Sequence, residues 1–239
     1  MVSSVFPNDD AYRHLKLIRQ GRAGLDPIFD GFVARFREHF GSAPLSLVTD
    51  VPERPAGLEP RPRLEIVLER TEQYWAFIEP GVGYDPTKQQ SIARMFADAL
   101  VEADLPSMFG LPANTPSSYA YADLIFVVFT DFERLAKIES HGLVTPAEHE
   151  RFAASLDLGD QLWQIRSLGL SPIIFVHTAT QADTLAASPA LKRWADEYFT
   201  LVKSHDEFDY IDRAEIEIKI DSKENFDANY QSNWYYYFK

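Results

Sequence analysis

The spacing of apolar and polar positions changes period several times along the chain, and each change marks an element. Between residues 9 and 40, Tyr12, Leu15, Leu17 and Ile18, then Ile28, Phe29, Phe32, Val33 and Phe36, recur at three- and four-residue steps, the spacing of one face of an α-helix. Gly21 and Gly24 interrupt the pattern and Asp26-Pro27 restarts it, with Asp as N-cap and Pro at the first helical position. Two consecutive helices are expected. Residues 41–62 carry five prolines and read as a linker. The expected organisation is therefore an N-terminal helical segment, 1–62, packed on a main domain of 63–239.

Downstream the period becomes two. Leu64, Ile66 and Leu68 alternate with Glu65, Val67 and Glu69, and Tyr74 to Ile78 reads as a returning strand of a hairpin. Asp85-Pro86 opens a helix through Leu105, and Ser188-Pro189 another through Val202. Leu124–Phe129 and Ile173–Val176 are continuous apolar runs, as expected of strands covered on both faces. Thr130 with Glu133, and Thr145 with Pro146 and Glu148, have helix-capping spacing. Ala214 to Ile220 alternates as a half-exposed strand, Asp221 or Ser222 caps a helix to Tyr230, and Trp234 to Phe238 reads as a last strand. About six strands and seven or eight helices, without strict alternation, predict an α+β fold. The expected form is a mixed, mostly antiparallel sheet of about six strands with helices largely on one face; a three-layer α/β arrangement is the alternative. No internal repeat is visible.

Composition narrows the chemistry. The chain has no cysteine, which removes disulfides, thiol nucleophiles, thiolate zinc sites and iron–sulfur ligation. The first ten residues lack the basic start and apolar run of a signal peptide. The longest apolar run is six residues, against the roughly 20 of a membrane helix. A soluble cytoplasmic protein with no membrane contact is the expectation.

Motifs are sparse. Gly81-Val82-Gly83 lacks the third glycine and the Lys-Ser/Thr ending of a phosphate-binding loop, and Pro86 removes a helix-start amide. No Gly-x-Ser-x-Gly elbow occurs. The six histidines form neither His-Glu-x-x-His nor His-x-His, and no metal or cofactor is predicted. His177, just past the apolar run 173–176, is the one catalytic candidate. An enzyme site there would be assembled from distant residues near strand ends, such as Asp123, Asp131 and Tyr121.

Charge adds a gradient. The net charge is -13, and it accumulates toward the C-terminus: 8 acids and 8 bases in 1–62, 12 and 6 in 63–140, and 16 and 9 in 141–239. Asp206, Glu207, Asp209, Asp212, Glu215, Glu217, Asp221, Glu224 and Asp227 face only Arg213, Lys219 and Lys223 between 206 and 227. The spacing is not that of an EF-hand loop, so a solvated acidic face is expected, one that could dock a basic protein. The basic ridge of Arg13, Lys16, Arg19 and Arg22 is balanced by Asp9 and Asp10. With no basic patch outweighing the acids after residue 62, nucleic acid is not an expected partner. Seven of the 32 aromatics fall in the thirteen residues from Phe226 to Phe238. As a strand, this tail buries Trp234, Tyr236 and Phe238 and turns Tyr235 and Tyr237 outward, where tyrosines make good contact surface.

These readings point to a non-enzymatic protein-binding domain, immunity- or antitoxin-like or an adaptor. Its expected partner surface is Asp206, Glu207, Asp209, Asp212, Glu215, Glu217, Tyr235 and Tyr237. The alternative is a hydrolase or other small-molecule enzyme around His177.

Overall fold

A computed structural model describes residues 5–52, 61–109, 111 and 118–239. Over these residues the chain forms a mixed α and β fold with eleven α-helices and three small sheets. It divides into two compact units, Met1–Leu135 and Ala136–Lys239, so the division falls inside a helix and not at the proline-rich stretch.

In the first unit, α1 (Asp10–Arg19) starts where the Asp9 carboxylate accepts from the Tyr12 amide at 2.9 Å. Asp26 caps the 3-10 turn Pro27–Phe29 that leads into α2 (Asp30–Phe40). That helix closes on Gly41 at φ 77, a left-handed position where a Cβ is costly. Strand β1 (Ser46–Asp50) runs antiparallel to β2 (Arg63–Leu68), which runs parallel to β5 (Phe126–Asp131). A parallel pair needs a long crossover. Here it contains α3 (Thr71–Trp75), a hairpin of two short strands, β3 (Ile78–Glu79) and β4 (Gly83–Tyr84), then α4 (Pro86–Glu102) and α5 (Ser118–Leu124). Gly81 and Gly83, both at positive φ, turn that hairpin.

Alternation sorts the two faces of the sheet. Leu64, Ile66, Leu68, Val127 and Phe129 join Phe32 and Phe36 of α2 and Ile92, Phe96 and Leu100 of α4 in one core. Glu65, Val67 and Val128 point the other way and are buried as well. On that side Tyr12 of α1 stacks on Phe132, ring centroids 5.7 Å apart. Helices therefore cover both faces.

In the second unit, α6 (Phe132–Gly142) enters from the first, and α7 (Pro146–Ser155) begins in a reciprocal Thr145/Glu148 capping box. Strand β6 (Leu162–Leu168) is antiparallel to β7 (Ser171–Val176), and β7 is parallel to β8 (Lys219–Ser222). The crossover holds α8 (Ala179–Ala186) and α9 (Ala190–Lys203). Ile174 and Val176 pack with Phe152, Trp194, Tyr198 and Val202 on one face, while Phe175 meets Phe226 of α10 (Lys223–Tyr230) on the other.

Several expectations are corrected. Among the described residues there is no six-stranded sheet; each three-stranded sheet joins one antiparallel and one parallel pair. Residues 71–75 are helical, because the Gln73 side chain accepts from the Glu69 and Arg70 amides and starts a helical turn. Residues 213–215 form a 3-10 turn, so only 219 and 220 of the expected 214–220 strand enter a ladder, and that strand, β8, runs on to Ser222. The tail is a short helix, α11 (Trp234–Tyr237), begun by Asn233 accepting from the Tyr235 amide at 2.9 Å.

Candidate functional site

The C-terminal aromatics form the most distinctive cluster of the second unit. Helix α10, capped by Ser222, ends at Gln231 in the left-handed region with φ 56. The chain reverses there and lays Trp234 on Phe226, with centroids 4.0 Å apart and planes at 25°. Trp234 also stacks with Trp163 at 5.9 Å and meets Phe175 edge-on at 5.2 Å. The Arg166 guanidinium lies 4.8 Å from the Trp234 ring and the Lys223 ammonium 5.5 Å from that of Trp163, both within cation–π range.

A polar anchor fastens this stack. The Tyr237 hydroxyl donates to Asp221 Oδ2 at 2.6 Å, and Asn225 Nδ2 donates to both Asp221 oxygens at 2.9 and 3.0 Å. Burial, then the neighbouring Asp221 carboxylate, pushes the Tyr237 pKa up, so the hydroxyl keeps the proton it donates. Trp234 and Tyr237 face inward, whereas Tyr235 is 67% and Tyr236 48% exposed, and Phe238 is exposed beside them. On a helix, consecutive side chains fan around the axis, so four aromatics in a row cannot all be buried on one side.

The acidic residues of 206–227 have more internal partners than their number suggests. The Asp206 side chain is fully buried; its Oδ2 accepts from the Ile211 amide at 2.7 Å and from Lys203 Nζ at 2.9 Å. Burial works to raise its pKa, but these donors outweigh it and hold the carboxyl below its ordinary value. Asp206 thus turns its carboxylate inward and does not offer it to a partner. Asp209, at φ 61, is exposed and pairs with the same Lys203 at 2.5 Å. Asp212 caps the turn at Ala214, and Glu215 pairs with Lys137 at 2.6 Å. Glu224 accepts from the Ala179 amide at 2.9 Å, and Asp227 bonds Lys223 and Ser232. Glu207 and Glu217 are exposed. Tyr237, expected outward, is half-buried on Asp221.

His177 is exposed, and its ring has no hydrogen-bond partner among the described residues; its amide donates to Gln181 Oε1. It belongs to the second unit, whereas Asp123, Asp131 and Tyr121 belong to the first. Asp131 is fully buried at the end of β5, where its Oδ1 accepts from Thr71 Oγ1 at 2.8 Å and the Arg134 amide at 2.7 Å. Asp123 accepts from Gln90 at 3.0 Å, and Tyr121 lies in the core.

The structure instead joins a different histidine to hydroxyls. His141 Nε2 lies 2.8 Å from the Tyr198 hydroxyl, which is 3.3 Å from Ser167 Oγ. Burial, then His149, pushes His141 below its ordinary pKa. The three residues come from α6, α9 and β6, so no spacing in the sequence announces them. Among the described residues no three His, Asp or Glu gather as a metal site, and no helix is long and apolar enough to cross a membrane. No protein-family model, curated protein or solved structure matches the chain.

Proposed function

We propose that this chain is a non-enzymatic protein-binding protein, of adaptor or immunity/antitoxin type, that takes a basic protein partner on the exposed side of α11. The supporting observation is a pair of exposed tyrosines, Tyr235 and Tyr236, on a helix whose other side is pinned by Trp234 and Tyr237. Tyrosine offers a large, stiff contact area with a polar tip, and anchoring the helix beforehand lowers the ordering cost of binding. The charge of the partner follows from the 16 acids against 9 bases in 141–239.

The test compares the full chain with its Tyr235→Ser/Tyr236→Ser variant as baits in a lysate of the native host, at low and high salt. The expected result is a basic protein held by the parent chain, lost with the variant, and released as salt rises. Identical capture by both baits, or retention indifferent to salt, overturns the reading.

A further inference from the structure

The two units repeat one another strand by strand. In the first sheet the rows of facing residues are Ser46–Val67–Thr130, Leu47–Ile66–Phe129 and Val48–Glu65–Val128. In the second they are Gln164–Phe175–Asp221, Ile165–Ile174–Ile220 and Arg166–Ile173–Lys219. Each unit has an antiparallel pair followed by a parallel one, and over these three rows the residues stay in step across all three strands; beyond them β6 shifts register between Leu162 and Gln164. The middle row faces the principal core of its unit both times: Leu47, Ile66 and Phe129 in one, Ile165, Ile174 and Ile220 in the other. A slip of one residue in any strand would break this agreement, because it sends every side chain to the opposite face.

The agreement continues past the strands into hydrogen bonds that ladder pairing does not require. After β2, the Glu69 and Arg70 amides donate to Gln73 Oε1 at 3.1 and 2.9 Å, and the Thr71 amide donates to Glu133 Oε2 at 3.2 Å. The Glu133 amide donates back to the Glu69 carbonyl at 3.1 Å. After β7, the His177 and Thr178 amides donate to Gln181 Oε1 at 3.1 and 3.0 Å, and the Ala179 amide donates to Glu224 Oε2 at 2.9 Å. The Glu224 amide donates back to the His177 carbonyl at 3.2 Å. Carried outward from the rows, the strand register makes Gln181 the counterpart of Gln73 and Glu224 that of Glu133.

The flanking helices follow the same order. A helix pair precedes each hairpin, α1 with α2 and α6 with α7, α6 serving also as the helix after β5. The approach to the second member carries a capped proline both times, Asp26-Pro27 at the 3-10 turn that leads into α2 and Thr145-Pro146 at the start of α7. A helix pair also fills each crossover, α3 with α4 and α8 with α9. The helix after the last strand begins at matching positions, with Asp131 accepting from the Arg134 amide and Ser222 from the Asn225 amide.

We infer that the chain is a tandem duplication of one helix–helix–strand–strand–helix–helix–strand unit, in which Gln73 and Glu133, and their counterparts Gln181 and Glu224, are the latch that holds the ends of the parallel strands. The match hides in the sequence because side chains have diverged. Over 46–50, 63–75 and 126–135 against 164–168, 171–183 and 217–226, only Ile66/Ile174, Gln73/Gln181 and Glu133/Glu224 are identical. One is a core residue of the middle row and the other two are the latch. The β3–β4 hairpin and α5 are additions of the first copy. His177 then stands where the first copy has Glu69, and Ser222 where it has Asp131. The backbone of the first position serves the latch, which gives His177 a place in the scaffold, and the side chain of the second caps the helix that carries the latch glutamate.

The test uses the full chain and amide hydrogen exchange resolved to single residues. Gln73→Ala is expected to speed exchange at 69 and 70, and Gln181→Ala at 177 and 178, each by roughly tenfold, as the loss of one side-chain acceptor predicts. Glu133→Ala is expected to act in the same way on 71, and Glu224→Ala on 179. Gln73→Glu and Gln181→Glu, which keep the acceptor, restore protection at their own sites, and this separates loss of the latch from general unfolding. If one member of a pair opens its amides and its counterpart does not, the latches are not equivalent. Cross-strand contacts measured by NMR that pair the three rows in a different register in the two sheets overturn the duplication itself.

Discussion

A residue far from any motif carries the clearest dependence on solution conditions. His141 is held in its neutral form by burial and by repulsion from His149, with its Nε2 2.8 Å from the Tyr198 hydroxyl. Its folded pKa lies below the ordinary value of about 6.5, so between the two values the unfolded chain binds more protons. The stability His141 supplies is complete above about pH 6.5 and is lost as the pH falls through the folded value. Glu148, held down to about 2 chiefly by the Thr145 amide and hydroxyl, does not titrate in that window. Denaturant melts of the parent chain between pH 7.5 and 5.5 are expected to show falling stability, and His141→Gln is expected to flatten the slope. An unchanged slope places the titration elsewhere. Sequence spacing could not find this residue, because its partners lie 57 positions away at Tyr198 and, through that hydroxyl, at Ser167.

At the level of elements, caps and apolar stripes were legible and edge strands were not. Asp9, Asp26, Asp85 and Thr145 start helices where side-chain oxygens meet early amides, a local interaction that local sequence encodes. Among the described residues, strands β1 and β6 each pair on one side only, and their half-exposed sequences carry a weak apolar signal inside a proline-rich stretch and beside an acidic turn. The tail shows the opposite error. Its aromatics have strand propensity, but Asn233 caps a helix and Trp234 finds Phe226, Phe175 and Trp163 to cover it. Tertiary packing of this kind overrides β propensity, which largely measures how well a side chain fits a covered surface. Removing 233–239, which carries the half-buried Trp234 and Tyr237, is expected to cost up to about 3 kcal/mol, the scale for losing a fully buried aromatic, read as a lower denaturant midpoint. A midpoint equal to that of the full chain means the tail covers nothing that matters.

For the whole molecule, net charge and fold have to be weighed together. A charge of -13 is self-repulsive, and surface ion pairs such as Arg35–Glu102 and Arg213–Asp196 oppose it only locally. Screening long-range repulsion should outweigh screening these pairs, so raising salt from roughly 0.02 to 0.2 M is expected to raise the melting temperature. A fall would show that the ion pairs carry more stability than the net charge removes. The acidic stretch that looked like a docking face illustrates the same balance. Asp206, Asp212, Glu215, Glu224 and Asp227 are spent on amides and cations of their own unit, which leaves α11 as the better defined surface. What the sequence by itself determined were the properties set by neighbours along the chain: helix starts, the apolar faces of β2, β5 and β7, and the exclusion of thiol chemistry. Only the tertiary structure decided which strands pair and in what order, which acids turn inward, and that one unit occurs twice. Pairing register and buried hydrogen bonds join residues far apart in the chain, and two copies can keep the same bonds while sharing almost none of the same side chains.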